Sequence, residues 1–205
     1  MTDKPSVALI GAGAMGGALL KGWLAAGIIS PARSAVFDPA LSDESASLCA
    51  AHGVAVNPSG SAFDALVIAV KPQMAEAVLP PYAQMAKDSL VISVMAGTSI
   101  ERISFLLGGA MRVVRAMPNL PAAIGKAASG LYAPDAVDGK GRDIAEKLVR
   151  AAGEVVWVRT EQEIDFVTAI SGSGPAYYFL LTEALAEAGA ALGIDKDAAA
   201  ALARA

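Results

Sequence analysis

The stretch "SVALIGAGAMGGALLKGWLAAGI", residues 6–28, constrains the fold more than any other part of the chain. Its hydrophobic period changes half-way along. Val7 to Ile10 form a short apolar run of the kind required by a strand buried on both faces. From Ala14 the apolar residues recur at helical spacing as far as Leu24, and Gly27 is placed to close that helix. Between the two lies "GAGAMG", a G-x-G-x-x-G match at Gly11, Gly13 and Gly16. In such a unit Gly11 allows the tight turn, Gly13 lets backbone approach an anion, and Gly16 lets the helix lie close to the strand. The N–H groups and the dipole of the helix then face the bound pyrophosphate. The motif is weak alone, but after a buried strand and at the start of a helix it points to dinucleotide binding.

The rest of the chain repeats the alternation. Strands are predicted at residues 35–38 ("AVFD"), 65–70 ("ALVIAV"), 90–95 ("LVISVM") and 111–117 ("MRVVRAM"). Helices are predicted at 42–52 and 73–85, with a short one from Ser99. Two further strands near 127–132 and 154–158 flank a helix at 138–151. This order implies an α/β fold with a doubly wound, mostly parallel sheet. After Trp157 the pattern becomes purely helical. "TEQE" has the capping-box form, with Thr160 as N-cap and Glu163 at N3. The expected division is therefore residues 1–160 for the dinucleotide-binding domain and 161–205 for a smaller all-helical domain.

Composition excludes several classes. A chain of 205 residues with 55% hydrophobic content can bury a sizeable core, so disorder is not expected. A formal net charge of −4 with scattered Lys and Arg argues against nucleic acid as the partner. There is one cysteine, Cys49, and one histidine, His52, so neither an intrachain disulfide nor a zinc site of ordinary ligand count can be built, and no metal is expected. Cys49 reads as a helix-buried thiol and His52 as a polar residue in the last turn of a helix. "MTDKPS" leads directly into a strand without the features of a leader peptide, and the most apolar windows are broken by glycine or glutamate. A cytoplasmic protein that does not bind membranes is the expectation.

Several positions have two readings. Asp38, at the end of the second strand, can accept from a ribose 2′-OH and would repel a 2′-phosphate, which favours NADH; equally, Asp38-Pro39 suits a turn. Lys71 follows a strand's carboxyl end, where it can steady a phosphate or ribose, or simply be solvated. Asn119 can bond a carboxamide or close an Asx-type turn. Glu161 can face a cofactor or merely complement a helix dipole.

Taken together, "IGAGAMGGALLKG", "AVKPQ", "SVMAGTSI", "RAMPNLPA" and "AISGSGPAYYF" stand in the order and spacing of one family, and the chain resembles the pyrroline-5-carboxylate reductases over essentially its whole length. "RAMPN" followed by "SGSGPAY" is the most specific part. The resemblance implies a Rossmann domain followed by a helical dimerisation domain. It also implies reduction of a cyclic imine to L-proline with NADPH or NADH, and homodimers that assemble further into rings. It places the pyrophosphate along Ile10, Gly11, Ala12, Gly13, Ala14, Met15 and Gly16, with Asp38 at the adenosine ribose. The cofactor cleft would continue along Ala69, Val70, Lys71 and Pro72, then Val94, Met95 and Ala96. Asn119 would lie near the nicotinamide, Glu161 at the domain junction, and Ser173 and Gly174 in the substrate pocket. No acid–base residue is assigned, since reducing a C=N bond asks chiefly for orientation. Leu120 stands where the family often has threonine, and Asn57 is a loose match to the family's asparagine in the loop before "AVKP". The family's downstream Ser/Pro/Gly/Thr-rich substrate loop has no counterpart before Ala205, so a truncated chain that binds cofactor without turnover is also expected. Another small-substrate NAD(P)-dependent reductase, of the β-hydroxyacid dehydrogenase or imine reductase kind, remains an alternative.

The segment "SGSGPAYYFLLTEALAEAGAALGI", residues 171–194, reads as a helix capped by Ser173 with Pro175 in its first turn. It is apolar almost all round, as buried helices are. Thr182, Ala186, Gly189 and Gly193 form a stripe of small residues suited to close approach by another helix, expected to be that of a second subunit.

Overall fold

The computed structural model describes residues 4–60 and 62–205. Met1 to Asp3, part of the leader-peptide reading, and Ser61, in the loop before "AVKP", lie outside the described residues. In chain order the elements are β1 (Val7–Ile10), α1 (Ala14–Ala26), β2 (Ala35–Phe37), α2 (Asp43–His52), β3 (Ala55–Val56), β4 (Ala65–Ile68), α3 (Ala75–Val78), α4 (Ala83–Asp88), β5 (Leu90–Ser93), α5 (Ile100–Leu106), β6 (Val113–Met117), β7 (Ala127–Tyr132), α6 (Gly139–Arg150), β8 (Gly153–Trp157), α7 (Glu163–Val167), α8 (Gly174–Ala191) and α9 (Lys196–Arg204).

The strands form one sheet in the order β3-β2-β1-β4-β5-β6-β7-β8. All neighbours from β3 to β6 run parallel. β7 is antiparallel to β6, and β8 returns parallel to β7. The antiparallel step has a simple cause: β6 and β7 are joined by a single 3-10 turn, Leu120–Ile124, whereas a parallel neighbour needs a longer crossover. Strand order reverses between β1 and β4, which places a crevice at their carboxyl ends, the usual ligand position of open α/β sheets.

The central strands are buried throughout, as their continuous apolar runs require. On one face Leu19, Leu20 and Trp23 of α1 pack with Leu148 of α6. The Trp23 indole N–H donates to the Leu148 carbonyl at 2.7 Å, so the one polar atom of a fully buried side chain is satisfied. On the other face Leu66, Leu79 and Ile103 join α3 and α5 to the sheet. Cys49 is buried in α2, and His52 ends that helix, exposed.

Several local readings change. The helix expected at 73–85 is broken by Pro80 and Pro81 into α3, a 3-10 turn and α4, because proline supplies no N–H to continue the ladder. Strand β3, only two residues long, was not anticipated. The capping box at "TEQE" is half formed: Thr160 Oγ1 accepts from Glu163 N–H, but the Glu163 carboxylate returns to Arg159 N–H, at 2.8 Å, and α7 starts after Gln162. That bond from Arg159 holds the Glu163 carboxyl below its usual range.

Ser173 is not an N-cap. It has helical backbone angles and makes no capping bond, because a π-turn, Thr168–Gly172, carries the helical run from α7 into α8. One position of the stripe on α8 meets a partner within the chain. A Cβ on Gly189 would stand 3.1 Å from Ala199 Cβ, and Thr182 and Ala186 share a groove with Ala200 and Arg204. At Gly189 the close approach is therefore by α9 of the same chain, which follows a turn at Gly193 (φ +96°), while the groove at Thr182 and Ala186 stays open. Within the chain no residue of α8 is buried, and Tyr177, Leu181, Leu185 and Leu192 stay exposed on the side away from that groove.

Candidate dinucleotide site and domain junction

The turn from β1 into α1 depends on two glycines. Gly11 has φ +85°, and a Cβ there would sit 2.9 Å from Val70 Cγ1 and 3.0 Å from the Ala69 carbonyl oxygen. Its lack of a side chain brings the ends of β1 and β4 together at the crevice. A Cβ on Gly16 would fall 2.1 Å from the Gly11 carbonyl oxygen, so α1 can start this close to the turn only with glycine there. Gly13 is exposed, with nothing within 4 Å of where a Cβ would stand. That bare backbone at the N-terminus of a 13-residue helix fits a pyrophosphate.

Asp38 closes this loop from the β2 side. Its Oδ2 accepts from Ala12 N–H at 2.7 Å and its Oδ1 from Ala40 N–H at 2.8 Å. Asn57, held at φ +47°, accepts from Asp38 N–H and donates to the Asp38 carbonyl. The turn reading of Asp38 is met, and the carboxylate is held fixed at the carboxyl end of β2. A carboxylate has about four acceptor positions, and these bonds use two. Ala12 N–H is spent on Asp38, and the loop beyond it is exposed at Gly13 and Ala14. Next to this loop Ala12, Gly13, Ala14 and Asp38 form the rim of a cleft of about 310 Å³ between α1 and α2, lined also by Lys21, Ser42, Glu44 and Ser45. Lys21 Nζ lies 3.6 Å from Glu44 Oε1.

The remaining positions follow the carboxyl edge of the sheet. Ala69 and Val70 are half-buried beyond β4, Lys71 is exposed, and Pro72 lines a separate groove with Gly97, Ser99 and Arg102. Val94, Met95 and Ala96 leave β5, with Met95 buried. Past β6, Asn119 is 8% exposed and both ends of its amide are engaged: Nδ2 donates to the Ser171 carbonyl and Oδ1 accepts from Ala128 N–H, each at 2.9 Å. Glu161 Oε1 accepts from Ile100 N–H at 2.7 Å and faces Arg115 Nη1 at 3.1 Å. Asp165 lies 3.6 Å from the same guanidinium, which is only 6% exposed. Ser173 is exposed, and a Cβ on Gly174 would meet open space.

Comparison with known proteins decides the family. Pyrroline-5-carboxylate reductase of Pseudomonas aeruginosa is 37% identical over 202 residues, spanning 96% of this chain and 73% of the relative. The chain belongs to the pyrroline-5-carboxylate reductase family. Residues 161–205 match the model described as pyrroline-5-carboxylate reductase dimerisation, and residues 6–97 match NADP oxidoreductase, coenzyme F420-dependent. The reductase from Coxiella burnetii has a TM-score of 0.87 at 35% identity, covering 98% of this chain and 76% of that one. The reductase from Plasmodium falciparum, solved with NADP bound, has a TM-score of 0.82 at 25% identity, covering 99% and 76%.

For a member of the pyrroline-5-carboxylate reductase family, the informative surprise is Arg115. It is a buried cation on β6 that sequence reading passed over as part of a strand, although an arginine inside an apolar run was the available signal. It joins the sheet to α7, and Glu161 joins both to the start of α5. Glu161→Gln keeps an acceptor for Ile100 N–H but removes the charge facing Arg115. The expected result is a loss of about 1.5–3 kcal/mol, the range for hydrogen bonds to charged groups, in urea unfolding. An unchanged midpoint would show the bridge to be ornamental.

Proposed function

We propose that this chain carries out the NAD(P)H-dependent reduction of 1-pyrroline-5-carboxylate to L-proline. The observation that carries the reading is the meeting of "GAGAMG", "RAMPN" and "SGSGP" along one carboxyl edge, in a chain 37% identical to a reductase of that name. Residues 1–160 serve as the dinucleotide-binding domain and 161–205 as the helical domain.

A bound nicotinamide dinucleotide supplies the hydride. The chain's own part is to bind and orient. Gly13 and the first turn of α1 take the pyrophosphate, the ends of β4 and β5 floor the cleft, and Ser173 and Gly174 stand at the substrate side. No side chain is assigned proton transfer. A homodimer through residues 161–205 completes the unit, and a ring of such dimers and a cytoplasmic location accompany the proposal. No helix among the described residues is long and apolar enough to cross a membrane.

The adenosine end favours NADH. Asp38 is fixed as an acceptor, Asp43 and Glu44 fill the first turn of α2, and Lys21 already faces Glu44. A 2′-phosphate beside Asp38 would meet like charge. Calorimetry is expected to give an NADH Kd about tenfold below that for NADPH, a difference of ~1.4 kcal/mol. Equal or reversed affinities would overturn the assignment of Asp38. The activity itself is tested by following dinucleotide oxidation with the imine. Dinucleotide binding without any turnover would favour a binding protein instead.

A further inference from the structure

The two most specific motifs, "RAMPN" and "SGSGP", are joined by one hydrogen bond, and its chemistry explains why both are present. In an α-helix the Ser171 carbonyl would accept from the N–H four residues on, but that residue is Pro175, which has none. Ala176 N–H, one residue further, is bonded to the Ser173 carbonyl instead. The run is also out of α register here, since Ser173 N–H reaches back to Thr168 O at 2.8 Å across the π-turn. Ser171 O therefore takes its proton from outside the helix, from Asn119 Nδ2 at 2.9 Å. The other end of that amide accepts from Ala128 N–H, so its orientation is fixed by the start of β7. Steric fit fastens the same segment: a Cβ on Gly172 would meet Met117 Cε at 3.3 Å, and one on Gly130 would meet Val167 Cγ2 at 2.6 Å.

We infer that Asn119 is a positioning residue. Its amide replaces the backbone N–H that Pro175 lacks, holding the π-turn against the exit of β6 and so setting where Ser173 and Gly174 stand relative to the dinucleotide edge. This rests on the proposed reductase reading for its kinetic consequence but not for its structural one. A π-turn kept in place by a side chain from another motif is the kind of irregularity that accumulates at functional sites. Asn119 acts through the segment, since both ends of its amide are taken up by Ser171 O and Ala128 N–H.

The test uses Asn119→Asp, which keeps an acceptor for Ala128 N–H but cannot donate to Ser171 O, and Pro175→Ala, which restores a helical donor. In Asn119→Asp, amide exchange across residues 168–176 should quicken about tenfold, the scale of one lost buried hydrogen bond, while exchange in β1 and α1 stays as in the parent. The NADH Kd should hold within about twofold, and the imine KM should rise about tenfold. Adding Pro175→Ala to Asn119→Asp should restore slow exchange at 168–176 without restoring the KM, because the π-turn is then straightened to α register. The proposal is overturned if exchange at 168–176 does not change. It is also overturned if NADH affinity falls as far as that for the imine, since Asn119 would then be a cofactor contact. Should the parent protein reduce no imine, the reductase reading fails, and the exchange and NADH measurements still decide the role of Asn119. Should Asn119→Asp fail to fold by itself, the Pro175→Ala background decides it: Asn119→Asp placed there should cost no further protection at 168–176, and a further tenfold loss would refute the coupling.

Discussion

Gly16→Ala is expected to abolish measurable NADH binding and to destabilise the fold. The added Cβ would sit 2.1 Å from the Gly11 carbonyl oxygen and 3.2 Å from Ala69 Cβ, so a backbone atom, rather than a flexible side chain, blocks it. The conflict is relieved only by moving the first turn of α1. That helix buries Leu19, Leu20 and Trp23 against the sheet and is therefore poorly free to move. Overpacking of this kind costs ~1–3 kcal/mol, and a shift of about 1 Å in the anion-facing N–H groups suffices for roughly a hundredfold loss of function. The neighbouring glycine is the control. A Cβ on Gly17, which also lines the cleft, would meet Ala12 O and Ser45 Oγ at 3.5 Å, ordinary contact distance, so Gly17→Ala should keep the parent's melting temperature and retain measurable NADH binding. Calorimetric titration of both variants separates the cases. Equal behaviour of the two would mean that the third glycine of the motif is not sterically required.

That contrast also marks how far the sequence could be read. The strand, turn and helix around "GAGAMG" were legible because each residue's role is local: a buried apolar run, a positive φ, a close helix start. Asp38 was legible only as two rival roles, and the structure shows the turn-forming one while leaving half of the carboxylate's acceptors uncommitted by the bonds to Ala12 and Ala40. What stayed hidden depends on pairs far apart in the chain. Nothing in "RAMPN" says that Asn119 answers a proline 56 residues later, and nothing in "VVRAM" says that Arg115 meets Glu161. Ser173 has the composition of an N-cap, yet the helical run simply continues through it from α7, so no cap is needed. Local propensity identifies the elements; the register in which they touch is decided by tertiary contacts.

The same distinction between neighbours sets the second large effect. Gly189, one member of the small stripe, is packed against α9, so Gly189→Leu is in the first place a test of α8–α9 packing within the chain. Association should depend on the opposite face, where Tyr177, Leu181, Leu185 and Leu192 are 68%, 58%, 54% and 85% exposed. An 18-residue apolar helix with no buried residue is an unfinished core, and the match of residues 161–205 to a dimerisation model points to a second copy as what finishes it. Each leucine fully covered in a dimer contributes ~1.5–3 kcal/mol, so the pair Leu181→Lys and Leu185→Lys removes at least about 3 kcal/mol before the cost of burying charge is counted. At a tenfold change in Kd per ~1.4 kcal/mol, the dimer should weaken by more than about a hundredfold. Sedimentation velocity at micromolar concentration should show a monomer for the double variant and a dimer for the parent. Because both residues are exposed within the chain, circular dichroism and NADH binding by the dinucleotide domain should be retained. A double variant that stays dimeric would place the subunit contact elsewhere and leave the apolar face of α8 unexplained.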